Sequence, residues 1–265
     1  MAFSTFNSFH SRYVKNKLSL ALPAIPELIW FKFDSSTISG STLINAALSG
    51  SSQNGTIYSA NGSIVSDSTK HVQTYDSSVY VTAVGKTANF IMNTPATLSV
   101  PTNIAGNGFT MSLWFYSDPN SATYPQIFVY GYSGSGATST APENNTIRLW
   151  SDQNGLILYN RFPGGLAGPL GVTPTPNAWH NFAFVCKCDG GTLSNGQPSA
   201  KSTVYYDGLP LSNFNQYTDA YPTPGFKSGV GGFNYGEARH FQDFRMYSRP
   251  LTDSNMLDLY NYYKV

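Results

Sequence analysis

Hydrolysis of a glycosidic bond takes two carboxyl groups facing one sugar from roughly 5 to 9.5 Å apart, which on a strand means acids at alternate positions. The 265-residue chain has three glutamates, Glu27, Glu143 and Glu237, and none stands beside a partner carboxylate. No G-x-S-x-G elbow, P-loop or dinucleotide fingerprint occurs. His10, His71, His180 and His240 do not cluster with Cys186 and Cys188 at metal-ligand spacing, and two cysteines at i and i+2 on a strand do not bridge easily. Asp34, Asp118, Asp152 and Asp243 are available to a calcium ion but scattered. The expectation is a non-enzymatic protein with no resident cofactor.

Residues suited to recognition are easier to find. Thr146 to Arg161 contains Asn154-Gly155 between two apolar runs, a strong signal for a hairpin with a two-residue turn. Counting back from that turn places Trp150 opposite Tyr159 and Arg148 opposite Arg161, all four on one sheet face. Two readings stay open. The rings stack on a sugar and the arginines meet an anion, or the rings join the core and the arginines point to solvent. Asn54, Asn61 and Asn144 head glycosylation sequons, at about the frequency chance supplies in so Asn/Ser/Thr-rich a chain.

The elements that would position these groups are strands. Leu28 to Asp34 is a dense aromatic strand, and 35–80 holds short pieces at Gly55-Thr-Ile-Tyr and Ser63-Ile-Val. Further strands are expected at 85–92, 96–101, Gly108–Ser117 and Gln126–Tyr130. In Gly108–Ser117 both faces carry aromatics, so Trp114 is expected in the core of a strand covered on both sides. Residues 162–178 are rich in Pro and Gly and are expected as loop, and 187–201 as a polar connection. Between them a strand opens on Trp179-His180, and Asp207-Gly208 offers a second tight turn. Near the end, Thr252 is a fair N-cap, although Asn255 stands where a capping box prefers Glu or Gln. Met256, Leu259 and Tyr260 share the helix face expected to be buried.

Composition sets outer bounds. Only 11% of residues are charged and the net charge is +1, which argues against a large basic footprint for nucleic acid or an anionic membrane. Such a surface of Ser, Thr, Asn, Tyr and Gly suits an assembly or a glycan. Leu18 to Pro26 is short, carries two prolines and gives no clear secretory signal, and nothing approaches a membrane span.

Several stretches together resemble the laminin-G-like, concanavalin A-like lectin domains. Trp179-His180 with Ala183-Phe184 is followed by Val204-Tyr205-Tyr206-Asp207-Gly208 and Leu211. Phe109-Thr110, Ser112 and Trp114 are similar to the family's F-T-x-S-x-W strand. Asp243, Arg245, Tyr247, Arg249 and Leu251 match the family's last strand, with Gln242 in place of its first acid. The resemblance covers about residues 27–263. It implies an all-β fold, a two-sheet antiparallel jelly-roll sandwich over 27–265, with a short C-terminal helix and an extended N-terminal arm over 1–26. Trp179 and His180 are then fold markers, and a binding surface is sought on the Trp150 hairpin or in the arm.

The resemblance implies two functions. Stand-alone members in large DNA viruses and phages decorate or glue a particle, so a structural virion component is one expectation, with other protein subunits as partners of residues 1–26 and the virion surface as location. A carbohydrate-binding module for attachment is the other, with Trp150, Tyr159, Arg148 and Arg161 as glycan contacts, calcium as an occasional family companion and a secreted, extracellular location.

Overall fold

The computed structural model describes residues 24–59, 64–82, 88–93, 104–117, 126–132, 147–151, 157–161, 166–194, 196, 198–211, 217–220, 227–232 and 238–264. Residues 1–23 of the expected arm, the strand at 96–101 and the turn at Asn154-Gly155 lie outside them, as do Asn61, Asn144, Asp118 and Asp152. Of the arm, Ala24 and Pro26 lie against the sandwich, their carbonyls accepting from Tyr247 Oη (3.3 Å) and Leu48 N (3.1 Å).

Among the described residues two antiparallel sheets of nine strands each form the body. The strands are numbered along the chain. In the first sheet the order is β15 (Leu209–Pro210), β14 (Pro198–Tyr206), β13 (Trp179–Thr192), β8 (Gly108–Tyr116), β18 (Ala238–Tyr247), β6 (Ser78–Thr82) and β5 (Ile64–Asp67). Here β1 (Ile29–Phe31) also pairs with β18, and β16 (Tyr217–Ala220) with β14. The second sheet runs β12 (Leu166–Pro169), β11 (Ile157–Arg161), β10 (Ile147–Ser151), β9 (Gln126–Tyr132) and β17 (Lys227–Gly232). It continues through β7 (Ala88–Asn93), β4 (Gly55–Ser59), β3 (Thr42–Leu43) and β2 (Ile38–Ser39). A single α-helix among the described residues, Asp253–Tyr263, follows β18. No helix among them is long and apolar enough to cross a membrane.

Alternation along β8 divides its side chains between two cores. Phe109, Met111, Leu113 and Phe115 face the second sheet with Phe182, Phe184 and Cys186 of β13 and Phe31, Phe33 and Phe90. Trp114 faces the other way. It joins Ala183, Val185, Tyr205 and Tyr247 in an outer core roofed by Val72, Tyr75 and the helix residues Met256, Leu259 and Tyr263. The first sheet is therefore buried on both faces, which is why β8 is almost continuously apolar or aromatic. Cys186 and Cys188 are buried in the core.

One ion pair ties the roof down. Pairing of β18 with β8 shifts between Gln242 and Arg245, and in that bulge Asp243 adopts a left-handed φ of 53°. Its carboxylate, fully buried, accepts from Trp30 Nε1 (2.7 Å), Tyr75 Oη (2.6 Å) and Arg245 Nε (2.9 Å). The Arg245 guanidinium lies over the rings of Trp30 and Tyr263, 4.4 and 4.9 Å from their centroids, and donates to the hydroxyls of Tyr247 and Tyr263. Burial opposes the Arg245 charge, but Asp243 together with Tyr247, Tyr263 and Tyr75 more than offsets it, and the guanidinium stays protonated. Burial and the adjacent Asp243 push Tyr75 upward, keeping its hydroxyl a donor. Gln242 holds the neighbouring loop, accepting from Val72 N at 2.7 Å and donating to Ser77 O at 2.5 Å.

Three local expectations are corrected. Leu166–Pro169 is a strand rather than loop, pairing with β11 at the sheet edge, where a proline costs no ladder bond. The polar stretch 187–201 is largely hairpin, because β13 runs on to Thr192 and β14 begins at Pro198. Backbone pairing there continues past the core, so the side chains need not be apolar. At the helix, Asn255 completes a capping box after all: Thr252 Oγ1 accepts from Asn255 N (3.2 Å) and Asn255 Oδ1 from Thr252 N (3.4 Å). Met256, Leu259 and Tyr263 are buried, and Tyr260 half so.

The Asp207-Gly208 turn is as expected. Both residues have positive φ, 50° and 78°, and Tyr206 pairs with Leu209 across it, the geometry of a type I′ hairpin. A Cβ on Gly208 would lie 2.8 Å from Tyr260 Cβ, so the turn also sets how closely the helix approaches.

Two predictions follow from this packing. Asp243→Ala leaves the Arg245 charge buried without its carboxylate and is expected to cost about 3–5 kcal/mol, read from the urea midpoint at constant slope; a loss below 1 kcal/mol contradicts it. Gly208→Ala is expected to cost about 1–3 kcal/mol in the same assay, with altered fluorescence of the Trp114–Tyr260 contact; unchanged stability contradicts it.

Candidate functional site

The hairpin chosen from sequence does not assemble as expected. Five residues, 152–156, separate the last pair Ser151↔Ile157, and the register is one residue off that of a two-residue turn. Trp150 pairs with Leu158, Tyr159 with Leu149, Arg148 with Asn160 and Arg161 with Ile147. A one-residue slip exchanges faces. Register therefore places Arg148 and Trp150 on one face of the second sheet and Tyr159 and Arg161 on the other.

Aromatic residues do converge elsewhere, over the outer face of the first sheet. A cleft of about 550 Å³ opens there, its floor made by Trp114, Tyr116 and Trp179. Strand alternation puts Trp114 and Tyr116 on one face of β8, and the β13 register sets Trp179 opposite Tyr116. Their rings meet edge to face at 5.6 Å and 72°. His240, on the same face of β18, stacks on Tyr80 at 4.4 Å and presents its edge to Tyr116 and Trp179 at 5.6 and 6.4 Å. Asp67 Oδ2 receives its Nε2 at 2.8 Å, fixing the ring that backs this wall. The opposite wall is the end of the helix, where Tyr260 lies parallel to Trp114 at 5.5 Å, with Tyr263 and Lys264 beside it. His71 and Gln73 from the loop held by Gln242 close one end.

At the other end stands the Trp-His strand. Asn177, with a left-handed φ of 59°, donates its N–H to Ser117 O at 2.7 Å, and Ser117 N donates to Ala178 O at 2.9 Å, fixing the segment that enters β13. Asp207 then fastens β13 to the tight turn. Its Oδ1 accepts from Asn181 N (2.8 Å), its Oδ2 lies 2.9 Å from His180 Nδ1, and Tyr206 Oη reaches the same nitrogen at 2.7 Å. His180 Nε2 is 3.0 Å from the Thr175 carbonyl, which can only accept, so Nε2 carries a proton. Both ring nitrogens are committed to scaffold bonds. Neither is hydrogen-bonded to a serine or cysteine that it could activate.

One buried polar group in the floor is unanswered. Trp114 is 2% exposed, and its Nε1–H has no hydrogen-bond partner. An unpaired buried donor costs about 1–3 kcal/mol, and an indole N–H can be satisfied only by an acceptor. Asn181 Oδ1, across the ladder from Trp114, is also unpartnered, although its amide nitrogen donates to Ser112 Oγ and Leu113 O. Lys264, which lines the cleft, places its ammonium 5.3 Å from the Tyr260 centroid, and Lys70, outside the lining, places its own 4.8 Å from that of Tyr116.

For metals, Asp34 accepts from Ser36 and Thr37 within its own turn, and Asp243 is consumed by Arg245, Trp30 and Tyr75. Among the described residues no group of three His, Cys, Asp or Glu side chains could hold a metal ion. The cleft itself was missed by sequence reasoning, which treated Trp114, Trp179 and His180 as scaffold. They are scaffold, and they line the cleft as well. The legible signal was the aromatic pair Trp114 and Tyr116 on the outer face, matched by Tyr260 and Tyr263 one turn apart on the helix.

A laminin-G family model, described as the concanavalin A-like lectin/glucanases superfamily, matches residues 92–255. No curated protein matches the sequence. Among solved structures, Trypanosoma rangeli sialidase superposes with a TM-score of 0.57 at 13% identity, covering 94% of this chain and 37% of the sialidase. Domain 4 of the extracellular arabinanase AbnA from Geobacillus stearothermophilus, in complex with arabinotriose, gives 0.54 at 16% identity, with 88% and 98% covered. The botulinum neurotoxin type G receptor binding domain gives 0.53 at 11% identity, with 89% and 51% covered. The chain thus spans well under half of the sialidase, and these likenesses describe the fold. The family match takes in more than half of the chain, from β7 through the helix N-terminus, and includes the Trp-His strand, the Asp207-Gly208 turn and the Asp243 bulge. On that ground the chain belongs to the laminin-G group of the concanavalin A-like lectin/glucanases superfamily.

Proposed function

We propose that the protein is a non-enzymatic carbohydrate-binding module and that a saccharide occupies the cleft over Trp114, Tyr116 and Trp179. The observation that carries the reading is the aromatic floor of Trp114, Tyr116 and Trp179, walled by Tyr260 and Tyr263. Sugars present C–H faces that lie on aromatic rings and hydroxyls that take hydrogen bonds, and this cleft offers both kinds of contact. Support of a coarser kind comes from the neighbours: an arabinanase domain solved with arabinotriose, a sialidase solved with sialic acid, and a toxin domain that binds a receptor. The absence of paired carboxylates in the sequence and the full commitment of His180 favour binding over turnover.

A glycan array probed with the full chain tests this. Binding to at least one saccharide class is expected, and Trp179→Ala is expected to weaken it at least about tenfold, some 1.4 kcal/mol, with little change in thermal midpoint. A clean array, or hits that Trp179→Ala leaves intact, contradicts the cleft. The same array read with Trp150→Ala tests the second-sheet hairpin: if that variant alone loses the hits, the saccharide lies there.

A second role, as a component of a virion or other particle, is favoured by one observation, a chain with only 11% charged residues that carries an additional segment before the sandwich. In this reading residues 1–26 engage other subunits. Deleting residues 1–23 is expected to abolish incorporation while the sandwich keeps its melting temperature; unchanged incorporation contradicts it.

A further inference from the structure

We propose that the apolar surface of Ile25 and Leu48 docks residues 17–22 of a second copy of this chain, the two copies exchanging N-terminal segments. The proposal rests on the reading of residues 1–26 as an assembly segment and names its partner. The surface lies where that segment joins the sandwich. Ala24 O accepts from Tyr247 Oη at 3.3 Å, Pro26 O from Leu48 N at 3.1 Å and Glu27 O from Ser49 N at 3.0 Å. The Glu27 carboxylate holds the other side, accepting from Ser248 N at 3.1 Å and from Arg249 Nε at 2.9 Å. Residues 24–27 are thus strapped between the end of β18 and residues 48–49. On this strap Ile25 is 49% exposed, and Leu48 beside it, at 70%, is the most exposed large apolar side chain among the described residues.

The sequence just before the strap asks for such a surface. Lys17-Leu18-Ser19-Leu20-Ala21-Leu22 alternates leucine with small or polar residues, the pattern of a segment with one apolar face to cover. The prolines argue against covering it with the copy's own surface. Leu22 precedes Pro23 and Ile25 precedes Pro26, and a residue before proline is held extended, while the proline ring fixes its own φ. An extended course from Leu22 to Pro26 carries the three leucines away from Leu48 of the same chain. A two-fold axis answers this, because each copy then offers one leucine face and receives one. Residues 1–26 carry Arg12, Lys15 and Lys17 and no acid, so the contact forms by apolar burial against charge repulsion between the segments.

Sedimentation of the full chain at micromolar concentration tests this, beside deletion of residues 1–22, a Leu18→Ser/Leu20→Ser/Leu22→Ser variant and Leu48→Glu. The wild type is expected to be a dimer that tightens as salt screens the basic segments. Each variant is expected to weaken the dimer at least about tenfold at unchanged melting temperature, since the Leu48 side chain is exposed and residues 1–22 precede the strap. A dimer that survives the deletion or Leu48→Glu overturns the exchange, as does one that dissociates as salt rises. A monomeric wild type overturns the second copy, and tryptic cleavage at Lys17 then identifies the occupant: protection that Leu48→Glu removes assigns the surface to the chain's own segment. If a monomeric protein still loses particle incorporation on deletion of residues 1–23, the partner is a different subunit; the self-exchange is overturned and the assembly reading stands. Unchanged incorporation overturns that reading too.

Discussion

Everything on the outer side of the first sheet depends on the Asp243–Arg245 pair in its aromatic nest. A carboxylate and a guanidinium at 0 and 1% exposure are costly to desolvate. The cost is offset because Asp243 Oδ1 accepts from Trp30 and Tyr75 as well as from Arg245, Oδ2 accepts from Arg245, and Arg245 in turn donates to Tyr247 and Tyr263. Those partners come from four separate places: the first strand, the loop before β6, β18 itself and the C-terminal helix. The pair thus does what hydrophobic contact alone does poorly, which is to choose one arrangement among several of similar burial.

The cleft is a by-product of that choice. Its walls are the loop carrying His71 and Gln73 and the helix end carrying Tyr260, Tyr263 and Lys264. Tyr75 fastens the first wall to Asp243, and Tyr263 fastens the second to Arg245, with the two tyrosine rings stacked at 5.7 Å. The sheet supplies the floor between them. A groove bounded by elements locked to one ion pair is pre-organised, and a ligand entering it does not have to supply the ordering free energy of the walls. The type I′ turn adds a third constraint, since Gly208 sets the approach of Tyr260 while Asp207 holds His180 at the far end.

Much of this was legible in the sequence, in proportion to how local each signal is. The turn at Asp207-Gly208 demands two residues tolerant of positive φ, and the sequence supplies them side by side. The helix announces itself by Thr252, and the Asp243 strand by its resemblance to a known pattern. Signals failed where chain geometry depends on something several residues away. Asn154-Gly155 looks like a two-residue turn, but Ser151↔Ile157 is the last described pair, and one residue of register separates Trp150 from Tyr159. Polar strands such as the far end of β13 lack apolar alternation because no core lies beneath them. The cleft was invisible for a different reason: its residues lie at 71–73, 114–116, 175–180, 207 and 260–264, and only tertiary packing gathers them.

Trp114 shows why choosing between core and site was the wrong question. Its ring is in the outer core, parallel to Tyr260 and almost wholly covered, which is what a doubly buried central strand requires. The residue also lines the cleft, and its indole nitrogen, buried, is the part without a partner. An indole has one apolar body and one polar edge, and a position between a packed layer and a groove uses each for a different purpose. Because the body is immobilised by packing, the direction of the N–H is fixed, and the unmet hydrogen bond is a standing cost that the fold carries. The ion pair that locks the helix onto the sheet is what keeps that donor in place.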